Sequence, residues 1–254
     1  MDPLLGVTAH RPWPLPSGPW VMKQIWHDLL FAHWPLPPDQ VRKVVPSQLP
    51  LDTFEGKAWV GVVPFRMSGV RPRAIPALPG LSAFPELNVR TYVTLDGKPG
   101  VYFFSLDATN LPAVWAARAL YKLPYFHAKM QVRRENQIHY ESVRQHDRRP
   151  AVFRGSYGPV ADVELRRPGS LEHWLTERYC LYAVAHDEIF RGEVHHLQWP
   201  LQNAEAAIQE NSMAAPAGLA LPPIAPVCHF AKRLEVLIWP LRRIPASERR
   251  RMRS

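Results

Sequence analysis

Residues 84–93 read FPELNVRTYV, and no other stretch limits the possible folds as tightly. As a strand with period two, it places Glu86, Asn88, Arg90 and Tyr92 on one face and Leu87, Val89, Thr91 and Val93 on the other. An acid, an amide, a guanidinium and a phenol in a row suit solvent or a polar cavity, and not an apolar core. Asp96-Gly97 then supplies a hairpin turn into a second strand, VYFFSLDATN. The pattern recurs further on, where Tyr125, His127, Lys129 and Gln131 share a face opposite Phe126, Ala128, Met130 and Val132. Two strands that each pair an apolar face with a face of functional groups predict the wall of a small-molecule pocket.

The rest of the chain adds strands without βαβ alternation. HDLLFAHW (27–34) reads as a buried strand, and KAWVGVVPFRM (57–67) alternates Trp59, Gly61, Val63, Phe65 and Met67 against Val60, Val62 and Arg66. Between them a short helix is expected over 37–49, started by Asp39 and stopped by Pro46. The Pro-rich segment 71–85 is a loop long enough to lid a cavity. A helix is expected after Asn110, with Pro112 in its first turn, and Ser170 caps a second amphipathic helix, LEHWLTERY. Hairpins are expected through Glu135-Asn136 and about Asp187-Glu188, and further strands at 151–157 and 231–239. NAEAAIQEN (203–211) is read as helical. Roughly ten strands with a few short helices predict a mainly β chain, an antiparallel or mixed barrel. The expected organisation is a Pro-rich arm (1–20), one barrel domain (21–240) and an Arg-rich tail (241–254).

Charge narrows the partners. The net charge is +9, but residues 241–254 (LRRIPASERRRMRS) carry +5 of it, leaving only +4 on the other 240 residues. Such a tail is expected to be solvated, with at most nonspecific contact to RNA or anionic lipid, and no specific nucleic-acid partner follows from it. The cluster of Arg133, Arg134, Arg144, Arg148, Arg149 and Arg154 is broken by Glu135, Glu141 and Asp147 and is assigned to hairpin loops. There is no run of eighteen apolar residues, so no membrane helix is expected, and the first twenty residues do not read as a signal peptide. Two cysteines, Cys180 and Cys228, fit a reducing cytoplasm better than a disulfide scaffold. The partners expected are a small-molecule ligand and further copies of the chain in a homo-oligomer.

FPELNVRTYV, SLDATN, AARALYKLPY, LTERYCLY and VHHLQWPL together resemble the YqjF-like family of uncharacterised bacterial proteins, over most of the chain. That family is in turn similar to the acetoacetate decarboxylase-like superfamily, whose fold is a β-barrel around a central cavity. The resemblance puts Glu86 on the position of a catalytic strand glutamate, Arg118 on the helix arginine and Pro124 on the proline that precedes two lysines. The two lysines that follow in the decarboxylases fall on Tyr125 and Phe126, so the Schiff-base nucleophile is missing.

These readings converge on a set of candidate residues. Glu86 is the candidate acid/base. Arg90 and Arg118 would hold a carboxylate, and Asn88, Tyr92, Tyr125 and His127 would complete a polar wall. Glu86 and Arg90 lie about 13 Å apart along a strand, so a ligand or another side chain must bridge them. The plainer alternative is a structural polar network that merely fills the barrel. A lyase working through Lys129 as a relocated nucleophile is a rival, although two strand alternations separate Lys129 from Tyr125. A non-catalytic scaffold that uses the basic tail is another. Eleven histidines invite a metal, but no ligand spacing supports one: His195 and His196 are adjacent and point oppositely, so one of them could enter a cavity. Ser105 lies in FSLD and not in a G-x-S-x-G elbow, so a nucleophilic triad has no support, and without a G-x-G-x-x-G or P-loop pattern no cofactor is expected. Trp59, Phe65, Tyr92 and Trp115 lie in the segments around the expected cavity and would suit an apolar or planar ligand.

Overall fold

The antiparallel ladder between the first two strands is interrupted around Pro64. In the computed structural model, which describes residues 2–78, 80, 82–110, 121–145 and 150–245, strand β1 (Met22–Leu36) runs antiparallel to β2 (Ala58–Pro72), and their register slips between His27 and Ala32. Pro64 has no N–H to give the ladder. Within the interrupted stretch Asp28 takes a left-handed backbone conformation, φ 52°. The Tyr157 hydroxyl donates to the Asp28 carbonyl at 2.8 Å and so satisfies it.

The remaining strands are β3 (Phe84–Leu95), β4 (Lys98–Ala108), β5 (Tyr125–Arg134), β6 (Ile138–Arg144), β7 (Val152–Pro159), β8 (Cys180–Ala185), β9 (Glu188–His195), β10 (Gln202–Asn211), β11 (Val227–Ile238) and β12 (Arg242–Ile244). Two short helices are described, α1 (Pro38–Arg42) and α2 (Leu171–Thr176), and the Ser170 hydroxyl caps α2 by accepting from the His173 N–H. Among the described residues twelve strands make one sheet in the order β12-β9-β8-β4-β3-β2-β1-β11-β10-β7-β6-β5. A parallel β4–β5 pairing closes nine of them into a barrel, and a β9–β11 pairing closes a second ring of seven. The two closures share the wall β4-β3-β2-β1-β11.

This shared wall explains why β1 and β2 are buried over long runs instead of at every second residue. One face carries Leu30, Ala32, Val60, Val62, Leu87 and Val89, packed with Tyr140, Phe153 and Tyr157 as the main core. The other carries Leu29, Phe31, Val63 and Phe65, packed with Val194, Trp199 and Ile238. The alternation read for residues 84–93 is therefore a division between two interiors. No helix among the described residues is long and apolar enough to cross a membrane.

Several local expectations change. Residues 203–211 form most of strand β10 and not a helix: Ala204, Ala206 and Ile208 face inward while Asn203, Glu205 and Ala207 are exposed. Pairing with β7 and β11 on either side overrides the helix preference of Ala, Glu and Gln. The β8–β9 turn is made by His186 and Asp187, both at positive φ, one residue earlier than expected. The arm is fixed along the barrel, with the Arg11 guanidinium donating to the Val194 carbonyl at 2.8 Å and the Trp13 indole to Glu193 at 2.8 Å. Arg242–Ile244, in the region assigned to the tail, pairs with β9 as an edge strand. Gly100 on β4 sits where a Cβ would lie 2.7 Å from the Cys180 sulfur and 2.8 Å from its carbonyl oxygen. Gly100→Ala is expected to cost about 1–3 kcal/mol by forcing β4 from β8, read as a lowered urea midpoint at unchanged m-value.

Candidate functional site

The seven-stranded closure encloses a cavity of about 130 Å³. Its walls are largely apolar and include Trp26, Phe31, Phe65, Phe103, Leu106 and Trp199. Its polar lining includes Glu86, Asn88, Arg90, Tyr125, Arg178 and His196, together with Gln24, Tyr121 and Thr176.

Glu86 is placed by the pairing of β3 with β4, and Tyr125 by the pairing of β5 with the other edge of the same β4 segment. The Tyr125 hydroxyl donates to Glu86 Oε2 at 2.9 Å. Burial raises the Glu86 pKa to about 8, the nearby Asp107 charge adds to the rise, and Tyr125 opposes it by donating to the carboxylate. At neutral pH Glu86 is thus mainly a neutral carboxylic acid, able to give a proton or a hydrogen bond.

Asn88 and Arg90 continue the same face. Asn88 Oδ1 and Arg90 Nε are buried without a hydrogen-bond partner, and the Arg90 guanidinium lies 5.2 Å from the Phe31 ring. Arg90 has no carboxylate within ion-pair distance among the described residues. Burial and the Arg178 charge both lower its pKa, opposed by Tyr92. Tyr92 is buried behind this row and does not line the cavity; its hydroxyl lies 2.6 Å from His33 Nε2. His196 lines the cavity, held neutral with a pKa lowered to about 4 by burial, whereas His195 turns away and reaches the Leu4 carbonyl.

Other expectations fail at this site. Lys129 is exposed on β5 and does not line the cavity, so the relocated-lysine arrangement is not formed. His127 is partly buried on the same strand and is also absent from the lining, since the β4–β5 pairing that carries Tyr125 inward ends at His127. Among the described lining residues none is a lysine. Trp59 is buried against Tyr92 and Leu175 instead of the cavity. Arg118 and Trp115 lie outside the described residues. No cluster of three metal-ligating side chains occurs among the described residues.

Sequence reasoning missed Arg178, the residue that faces this site from the far wall. It follows α2 in the run Glu177-Arg178-Tyr179, where a cation between a capped helix and an apolar strand is the signal that was available. Its Nε donates to the Trp174 carbonyl at 2.7 Å and Nη1 to Asp52 at 2.7 Å, and the guanidinium stacks on Tyr92 and Trp174 at 4.9 and 4.4 Å. Arg144, assigned to a loop, is instead buried in a two-point ion pair with Asp107 and lies 4.0 Å from the Phe126 ring. The two positions that resemble the decarboxylase lysines are thus occupied by a donor to Glu86 and a platform for Arg144.

Comparison with known proteins agrees with this architecture. The family model described as an uncharacterized conserved protein, DUF2071, matches residues 23–235. The uncharacterized protein YqjF of Bacillus subtilis (strain 168) is 46% identical over 230 residues, 90% of this chain and 95% of that protein. Among solved structures, the enduracididine biosynthesis enzyme MppR complexed with pyruvate aligns with a TM-score of 0.61 at 11% identity, over 93% of this chain and 94% of that one. Acetoacetate decarboxylase from Legionella pneumophila aligns with a TM-score of 0.60 at 14% identity, over 94% and 93%. Identities this low establish the fold alone. With the family model spanning most of the chain and a close relative along nearly its full length, this chain belongs to the DUF2071 family of uncharacterized conserved proteins, on the acetoacetate decarboxylase-like β-barrel fold.

Proposed function

We propose that the cavity binds a small carboxylate or carbonyl compound and that any chemistry it performs proceeds by proton transfer through Glu86, without an imine. One observation carries this reading: a neutral, buried Glu86 shares an otherwise apolar cavity with Arg90, a guanidinium that has no protein counter-ion among the described residues. A buried unpaired cation is costly and is relieved by an anionic ligand. An acid with a pKa near the working pH is suited to protonate or to hydrogen-bond a carbonyl oxygen. The pyruvate in the complex of the structurally similar MppR enzyme is a molecule of this class and supports the reading by analogy.

Native mass spectrometry of the purified protein, before and after incubation with a panel of small carboxylates, tests it. The wild type is expected to retain a small acid. Arg90→Gln is expected to reduce occupancy at least about tenfold, the loss of one charge-assisted hydrogen bond. Glu86→Gln is expected to keep the fold and to lower turnover of any converted compound by about 10²–10⁴-fold. Borohydride treatment with keto acids is expected to leave every lysine unmodified. Occupancy unchanged in Arg90→Gln, or a trapped lysine adduct, counts against this reading.

A further inference from the structure

We propose that Arg178 is the second arm of a carboxylate clamp whose first arm is Arg90, and that the cavity selects monocarboxylic acids with a planar apolar body. The proposal rests on the cavity being a ligand site and adds the class of ligand. Arg178 is fixed by Asp52, by the Trp174 carbonyl and by two aromatic rings, so its orientation is set before any ligand arrives. Its Nη2 is buried and has no partner, and neither has Arg90 Nε. A carboxylate has two oxygens to offer two such donors.

Charge decides between one carboxylate and two. Asp52 offsets Arg178, and His196 and Glu86 are neutral at pH 7, so among the described lining residues Arg90 supplies one uncompensated positive charge. One negative charge completes it. A second would lie unpaired against Trp26, Phe65 and Phe103, where an unpaired ion is strongly disfavoured. The rings give the shape: Trp26 stacks on Trp199 at 5.9 Å, and Phe31 meets Trp199 edge-on at 4.8 Å. The cavity has room for far more than a single water.

Calorimetric titration at pH 6.5 with phenylacetate, 2-phenylacetamide and glutarate tests this on wild type, Arg178→Gln and Asp52→Asn. Phenylacetate is expected to bind about 30-fold tighter than the neutral amide, and glutarate no tighter than the amide. Arg178→Gln is expected to cost phenylacetate at least about tenfold and leave the amide unchanged, which a purely structural role for Arg178 would not do. Asp52→Asn frees a second charge and is expected to shift preference toward glutarate at least about tenfold. Equal binding of acid and amide overturns the clamp while leaving the cavity a ligand site. Failure of both phenyl compounds to bind at millimolar concentration overturns the proposed ligand class, and if pyruvate also fails to bind the site falls with it. Should Arg178→Gln not fold, an unchanged glutarate preference in Asp52→Asn is sufficient to overturn the clamp.

Discussion

Raising the pH from 5 to 9 is expected to destabilise the folded protein through Glu86 by on the order of 4 kcal/mol, and Glu86→Gln is expected to remove that part of the pH dependence. The sign follows from where the proton resides. Glu86 has an ordinary pKa of 4.5 and a folded value of about 8, raised chiefly by burial. Below the ordinary value both states hold the proton and nothing is lost. Between the two values the unfolded chain ionises while the cavity keeps the acid neutral, so the unfolded state gains and stability falls, by about 1.4 kcal/mol per pH unit at most. Above about 8 both states are ionised and the loss is complete.

Urea unfolding of wild type and Glu86→Gln across this range measures the effect. Glutamine retains an oxygen to accept from Tyr125 and carries no charge, so its curve should meet that of the wild type near pH 5 and lie well above it at pH 9. Parallel curves would mean that Glu86 ionises normally and is not shielded from water. Ligand binding should follow the same titration. Above pH 8 a Glu86 carboxylate offsets Arg90, and affinity for an anion falls.

The row of cavity groups was legible because strand alternation is a local property. Glu86, Asn88 and Arg90 needed only their own order in sequence to share a face, and that face lines the cavity. Lys129 carried the same signal and misled, because β5 stays beside the wall only through residues 125–127 and then leaves it. Strand β10 shows the complementary failure. Its inward residues Ala204 and Ala206 are small helix formers, so local propensity points to a helix, while the pairings that make it a strand come from the distant β7 and β11. The double closure depends on β4–β5 and β9–β11 contacts between distant segments, which no local pattern encodes. Arg178 was missed for the same reason: its charge partner Asp52 is 126 residues away.

Arg144→Met is expected to cost about 3–5 kcal/mol, because it removes the two-point partner of a carboxylate buried at the end of β4. Arg144 Nε and Nη2 donate to the two oxygens of Asp107 at 2.7 and 2.8 Å, and the side chains are 1% and 0% exposed. Such a pair is a poor source of net stability, since desolvating both ions offsets most of their attraction. Breaking it is another matter. The Asp107 carboxylate loses two charge-assisted hydrogen bonds at a fully buried position. Asp107→Leu together with Arg144→Met should therefore recover much of the loss. The pair also acts on Glu86, whose pKa the Asp107 charge raises. With Arg144 gone the Asp107 charge is less compensated, so the gap between the Arg144→Met and Arg144→Met/Glu86→Gln unfolding curves should still open near the ordinary Glu value but level off at a higher pH than in the wild-type background. A loss below about 1 kcal/mol, as for a hydrated surface pair, together with an unmoved Glu86 titration, would separate the ion pair from the cavity and leave burial as the sole source of the Glu86 shift.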